Sequence, residues 1–194
     1  MSSSPAMIDP EVAHFLAIPW CASLLRASPS LVVGPCITRT AKPDYEEALM
    51  AQTLRTAGTI PAFAVFYEPP ADPRAPLAEV GALLTLGPML NGWRGVCHGG
   101  MVVTVMDEVL GQIPALSRMR GALPDWTTMT AYLNTKFEAP VRTGEGDGGK
   151  TVLVRARLVR HDGRKMWIEG AMEDEKGRVL ARAEALFVQI REKL

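Results

Sequence analysis

Residues 98–111 (HGGMVVTVMDEVLG) constrain the fold of this chain more than any other segment. Seven apolar side chains surround the axis of the helix they would form: Met101, Val102, Val103, Val105, Met106, Val109 and Leu110. A helix without a polar face is normally buried. Its glycines and valines are poor helix formers on their own, so packing must hold it. We therefore predict that this helix lies in the concave side of a sheet.

Alternating and apolar runs elsewhere in the chain predict that sheet. The predicted strands cover residues 62–67, 80–86, 127–139, 151–160, 165–172 and 178–190. Residues 174–177 (Asp-Glu-Lys-Gly) are typical of a hairpin turn between the last two. Successive hairpins give an antiparallel sheet, and one helix early in the strand order gives an α+β fold.

The first 60 residues have a different pattern. Asp9-Pro10-Glu11 is a good helix start, because it combines a capping side chain, an early proline and an acid in the first turn. Lys42-Pro43-Asp44 predicts another helix, over residues 43–57, with Gly58 as its stop. We interpret residues 1–60 as a helical extension and residues 61–194 as the main domain.

Composition excludes several classes of protein. Lys and Arg number 21, as do Asp and Glu, so no general attraction to nucleic acid follows. The three cysteines form no paired spacing and the three histidines no metal-ligand spacing, so we expect a reducing compartment, no metal and no cofactor. No apolar stretch approaches a membrane span and no targeting segment is evident, which makes the cytoplasm the expected location.

The long helix also carries the candidate chemistry. Gly99 and Gly100 leave backbone N–H groups uncovered at a helix start, where they can bind an anion or an oxyanion, or simply allow close packing. Asp107 and Glu108 are acids in an otherwise apolar helix, where burial of an unpaired carboxylate is costly. Either one of them has a function, or one lies where the helix reaches solvent or pairs with an arginine. Since neighbouring residues diverge by about 100°, at most one points inward.

The spacing within this helix has a consequence for assembly. His98 and Asp107 are nine residues apart, which is about 900° of rotation and roughly 13.5 Å of rise. They lie on opposite faces and cannot easily serve one small reacting group. If both ends act on one carbonyl, a second copy of the helix is required, as in a two-fold dimer.

These residues resemble the motif of a known family. Asn91, then His98-Gly99-Gly100, then Asp107 are similar to the motif of hot-dog-fold thioesterases, especially the phenylacetate-pathway type and the thioesterase superfamily members. Residues 129–134 and 138–140 are similar to the strand after their helix. The resemblance covers about residues 61–194, and the extension is similar in layout to fungal members.

The resemblance implies an antiparallel sheet wrapped around a long central helix. It also implies a homodimer or a dimer of dimers that hydrolyses acyl-CoA or acyl-carrier thioesters. Asp107 would activate water or attack the carbonyl, Thr130 would orient the water, and Gly99 or Gly100 of the partner subunit would donate to the oxyanion. His98 would shape the loop and contact the thioester.

Substrate binding is assigned to a second group of residues: Asn91, Glu108, Arg160, Arg164 and Lys165. The last three surround a predicted turn and form either a solvated turn or a clamp for the phosphates of CoA.

Other functions fit the same fold. A polyketide-chain dehydratase or cyclase, or a non-catalytic acyl-thioester-binding protein, remains open, since fold alone does not establish activity. A nucleophilic Cys97 beside His98 is disfavoured, because adjacent side chains seldom reach hydrogen-bond geometry.

Overall fold

The computed structural model describes residues 8–144 and 149–191. Its helices are α1 (Pro10–Leu16), α2 (Pro19–Leu25) and α3 (Gly99–Met119). Its strands are β1 (Val32–Pro35), β2 (Phe63–Tyr67), β3 (Glu79–Leu86), β4 (Asn91–Trp93), β5 (Val96–Cys97), β6 (Thr127–Phe137), β7 (Lys150–Asp162), β8 (Lys165–Glu173) and β9 (Val179–Ile190). Shorter helical turns occur at Ile37–Arg39, Leu49–Thr53 and Pro88–Leu90. Within the described residues, no helix is long and apolar enough to cross a membrane.

The strands form one large antiparallel sheet. In the part of the chain that the structure describes, this sheet has seven strands in the order β1-β2-β3-β7-β8-β9-β6, and β4 and β5 form a separate hairpin. Helix α3 packs across β3, β7, β8, β9 and β6. The predicted α+β hot-dog architecture, with a sheet around a long helix, is confirmed.

The main core lies between α3 and the sheet. Alternate residues of β7, such as Val152 and Val154, face the helix and are buried, as period-two patterning requires. Gly170 allows the close approach, since a β-carbon there would lie 2.5 Å from Leu110 Cδ1. Helix α3 runs eight residues past the segment 98–111 and through Pro114. Packing holds this extra length, because residues such as Ile113 are fully buried against the sheet.

The N-terminal segment is not wholly helical. Its strand β1 pairs with β2, so the sheet already begins within the first 60 residues. The predicted helix over residues 43–57 is wrong: only Leu49–Thr53 is helical. Tyr45 and Glu47 both adopt φ of 65°, a left-handed conformation that interrupts a right-handed helix.

Helices α1 and α2 pack on the outer face of the sheet. They form a second apolar cluster that joins Phe15 and Cys21 to Leu83 and Leu153. The sheet is therefore covered on both faces at its β1–β3 end. This places the N-terminal segment in firm contact with the main domain.

A buried ion pair anchors that segment. Arg39 and Glu11 are 2% and 5% exposed, and Arg39 Nε lies 3.0 Å from Glu11 Oε2. The Arg39 guanidinium also donates to the carbonyls of Met50 and Ile60, while Glu11 accepts from the N–H of Phe63. Because each charge has several hydrogen-bond partners, the pair can be buried without leaving a charge unpaired. It ties α1, the Ile37–Arg39 turn and β2 together.

Candidate active site

His98 caps the start of α3. Its backbone is extended (φ −59°, ψ 134°), and its Nδ1 accepts from the Gly100 N–H at 3.0 Å. Across residues 8–144 and 149–191, the Gly99 N–H has no acceptor. Gly99 is exposed and is the first residue of the helix, where the dipole favours negative charge. Of the two predicted oxyanion donors, the Gly99 N–H is therefore the unoccupied one in this protomer.

The β4–β5 hairpin supports this helix start. Gly92 packs directly on His98, since a β-carbon at Gly92 would lie 2.9 Å from His98 Cα. Asn91, predicted to bind substrate, accepts a short hydrogen bond from the Thr143 hydroxyl through its side-chain oxygen. The N–H of Cys97 bonds the Val141 carbonyl at 2.9 Å. Asn91 thus joins the hairpin to the segment after β6.

Asp107 lies on α3 where the helix contacts β6. The Thr130 hydroxyl donates to Asp107 Oδ1 at 2.8 Å. Asp107 is partly exposed and Thr130 is exposed, so solvent or a ligand reaches the pair. The structure therefore brings together Asp107 and Thr130, the residues that the family resemblance implies as the activating carboxylate and the water-orienting hydroxyl.

The Gly99 N–H and the Asp107 carboxylate are far apart within the chain. Gly99 and Asp107 are eight residues apart on α3, a rise of roughly 12 Å. At the far end of β6, Phe137 lies beside Gly99, where a β-carbon would be 3.5 Å from its ring. Strand β6 therefore runs antiparallel to α3. It contacts Asp107 through Thr130 and Gly99 through Phe137, and these two contacts lie at different places along the strand.

The surface beside these residues is open. Strand β6 is the last strand of the sheet, so within the described chain one of its backbone edges has no neighbouring strand. Three large apolar side chains of this strand are exposed: Met129, Tyr132 and Phe137. Long exposed edge strands are ready to pair with another chain.

Glu108 points away from Asp107, towards the N-terminal segment. Its Oε1 accepts from the Thr38 hydroxyl at 2.7 Å and from Gln112 Nε2 at 3.0 Å. The pKa of Glu108 is raised from its ordinary 4.5 to about 7, chiefly by burial and also by the nearby charges of Glu47 and Asp107. The hydrogen bonds from Thr38 and Gln112 oppose that rise. Glu108, predicted to bind substrate, is thus engaged by protein groups.

We expect Glu108 to make stability depend on pH. Its pKa is higher in the folded chain, so folding favours the neutral form, and stability falls as pH rises from 4.5 to about 7. Glu108→Gln has no carboxyl group to ionise and so does not lose stability in this way. The difference in free energy of unfolding between the variant and wild type should therefore grow in favour of the variant by about 3 kcal/mol from pH 4.5 to about 7, and stay constant above pH 7. Urea unfolding of both proteins at pH 5, 6, 7 and 8 measures this. A difference that does not change with pH would contradict it.

The predicted phosphate-binding residues lie at the β7–β8 turn. Arg160 pairs with Asp162 at 2.6 Å and stacks over Trp167, with 4.3 Å to the ring centroid. Arg164 donates to the Gln189 carbonyl at 3.4 Å, and Arg164 and Lys165 are exposed. All three side chains are exposed, and Arg160 and Arg164 also make contacts within the chain.

Cys97 is buried, and burial raises the pKa of its thiol to about 11. The thiolate is the nucleophilic form, so Cys97 is unreactive near neutral pH. The described residues contain no group of three His, Cys, Asp or Glu side chains that could hold a metal ion.

Thr38 and Gln112 are absent from the predicted site. Gln112 follows Glu108 by four residues, a spacing that places both on one helix face and could have indicated the contact. Thr38 is 70 residues from Glu108 in the chain and gives no comparable signal.

Several known proteins are similar to this chain in sequence. Residues 94–181 match the model of the thioesterase superfamily, and this range includes Gly99, Asp107 and Thr130. Verlamelin biosynthesis protein B from a Lecanicillium species is 29% identical over 169 residues, which cover 72% of this chain and 71% of that protein.

Two further proteins are similar to this chain, one in sequence over a shorter stretch and one in structure. Acyl-coenzyme A thioesterase THEM4 from Bos taurus is 31% identical over 106 residues, 54% of this chain and only 38% of that protein. The solved structure of yhdA from Lactococcus lactis is 12% identical with a TM-score of 0.50, covering 66% of this chain and 85% of that chain, and supports the fold alone. Residues 94–181, which carry the candidate site, are therefore similar in sequence to the thioesterase superfamily.

Proposed function

We propose that this protein hydrolyses acyl thioesters, of CoA or of an acyl-carrier protein, to a free acid and a thiol. The observation that carries the proposal is the partly exposed Asp107 carboxylate held by the Thr130 hydroxyl at 2.8 Å. The match of residues 94–181 to the thioesterase superfamily and the similarity to an acyl-coenzyme A thioesterase support the reaction class. A thioester carbonyl is already electrophilic, so a positioned base and one or two N–H donors suffice.

The proposed reaction uses Asp107 as a general base. Thr130 occupies Oδ1, which leaves Oδ2 to accept a proton from water as the water oxygen attacks the thioester carbonyl. The resulting oxyanion accepts a hydrogen bond from the Gly99 N–H at a helix start. The carbon–sulfur bond then breaks, and the departing thiolate takes the proton back from Asp107.

The complete site is proposed to need two protomers. The rise of roughly 12 Å between Gly99 and Asp107 separates base and oxyanion donor within one chain. A homodimer with antiparallel α3 helices would place Gly99 of the partner subunit near Asp107. The open edge of β6 and its exposed apolar side chains support this assembly.

Substrate handling is proposed for the accessible cations. Arg164 and Lys165 are exposed and suit the phosphates that both CoA and the carrier arm contain. The proposed setting is the cytoplasm, where the free thiols of Cys21, Cys36 and Cys97 stay reduced.

A panel of acyl-CoA and acyl-carrier thioesters tests the proposal. Thiol release is followed with a thiol reagent and the acyl product by mass spectrometry, and we expect release of both thiol and free acid. An altered acyl chain without thiol release would instead indicate a dehydratase or cyclase. Binding without any product would indicate a non-catalytic protein.

A further inference from the structure

Consecutive residues of α3 are held by different parts of the protein. Asp107 accepts from Thr130 on β6 at 2.8 Å, and Glu108 accepts from Thr38 in the Ile37–Arg39 turn at 2.7 Å. Side chains of neighbouring helical residues diverge by about 100°. The two contacts therefore fix the rotation of this helical turn about its axis.

The contact at Glu108 is the centre of a polar cluster. Gln112 donates to both Oε1 (3.0 Å) and the backbone carbonyl (3.3 Å) of Glu108, and the Cys36 Sγ lies 3.2 Å from Thr38 Oγ1. Glu47 and Asp107 are the charged groups that act on Glu108. Gln112 Oε1 is buried and, among the described residues, has no hydrogen-bond partner. Burying such a cluster generally costs more than apolar packing would.

The turn that carries Thr38 is a rigid support. Its next residue, Arg39, is locked by the ion pair with Glu11 and by two backbone carbonyls. Helix α3 needs such support, because Pro114 has no N–H to bond the Leu110 carbonyl and weakens the helix just past the Asp107 turn.

We propose that Glu108 is a positioning residue for Asp107: the N-terminal segment, through Thr38, holds the helical turn that presents Asp107 to Thr130. The activity readout of this proposal rests on the proposed thioester hydrolysis. The geometry readout does not, so the two can fail separately.

The test compares Thr38→Val, which removes the hydroxyl but keeps the shape, with Thr38→Ser, which keeps the hydroxyl. Thr40→Val is the matched control, since Thr40 is exposed two residues away. We expect Thr38→Val to lower kcat about tenfold, with KM within twofold. Thr38→Ser and Thr40→Val should both keep the wild-type kcat. Wild-type kcat in Thr38→Val, or equal loss in Thr38→Ser, would overturn the proposal.

A second variant covers the case in which Thr38→Val does not fold. Glu108→Met keeps the length of the side chain without its acceptor and should also lower kcat about tenfold. Unchanged kcat would overturn the proposal, and so would a loss as large as that of an Asp107 variant, which would make Glu108 a catalytic residue.

Crystal structures give the readout that needs no activity. In Thr38→Val, or in Glu108→Met where only that variant folds, we expect the Asp107–Thr130 distance to lengthen from 2.8 Å to beyond about 3.5 Å. An unchanged distance would overturn the proposal even for a protein that hydrolyses no thioester.

Discussion

Replacing Asp107 with asparagine is expected to lower kcat for thioester hydrolysis by about a thousandfold while KM changes little. Asparagine has the same size, and its side-chain oxygen can still accept from the Thr130 hydroxyl, so the geometry of the pair persists. What disappears is the carboxylate that takes the proton from water. The loss should therefore fall on the chemical step.

Steady-state thiol release by the purified variant measures this loss. Asp72→Asn is the matched control, because Asp72 is an exposed residue of the β2–β3 loop. It should leave kcat unchanged. An Asp107→Asn enzyme with wild-type kcat would remove Asp107 from the mechanism and leave the reaction without its base.

Replacing Gly99 with proline is expected to lower kcat by about a hundredfold or more, because it deletes the free N–H donor to the oxyanion. Proline is favoured at the first position of a helix, and His98 already has the extended backbone that precedes proline. A β-carbon at this site would be in ordinary contact with the Phe137 ring at 3.5 Å. The fold should therefore tolerate the change.

Gly99→Ala provides the matched control for this prediction. It adds the same β-carbon but keeps the N–H, so it should retain kcat within a few-fold. Equal losses in the two variants would show that space at residue 99 matters and the donor does not. Melting curves of both variants establish that the comparison is between folded proteins.

Much of the fold could be predicted from the sequence, because local pattern and tertiary packing agree. The apolar positions around residues 98–111 predicted a buried helix, and alternation predicted strands such as β7. Strand β1 escaped prediction because Val32–Pro35 is short and contains glycine and proline; its pairing with β2 makes it a strand. The helix predicted over residues 43–57 does not form because Tyr45 and Glu47 have a left-handed backbone, and no local sequence pattern indicated that conformation.

The candidate site was partly predictable for a different reason. Asp107 and Thr130 were linked by a resemblance and not by spacing, since 23 residues separate them. The distinction between Gly99 and Gly100 depends on His98 Nδ1, which occupies the Gly100 N–H. The contact between Thr38 and Glu108 joins separate elements, and such contacts leave no periodic trace in a sequence.

Subunit mixing tests whether each active site is shared by two protomers. As homodimers, Asp107→Asn and Gly99→Pro are each expected to keep at most about one per cent of wild-type activity. When they are mixed in equal amounts and allowed to exchange subunits, half of the dimers are mixed, and each contains one site with neither change. We expect the mixture to recover about a quarter of wild-type activity, because half of the dimers have one of their two sites intact. No recovery after demonstrated exchange would contradict it and would place Asp107 and Gly99 in the same protomer's site.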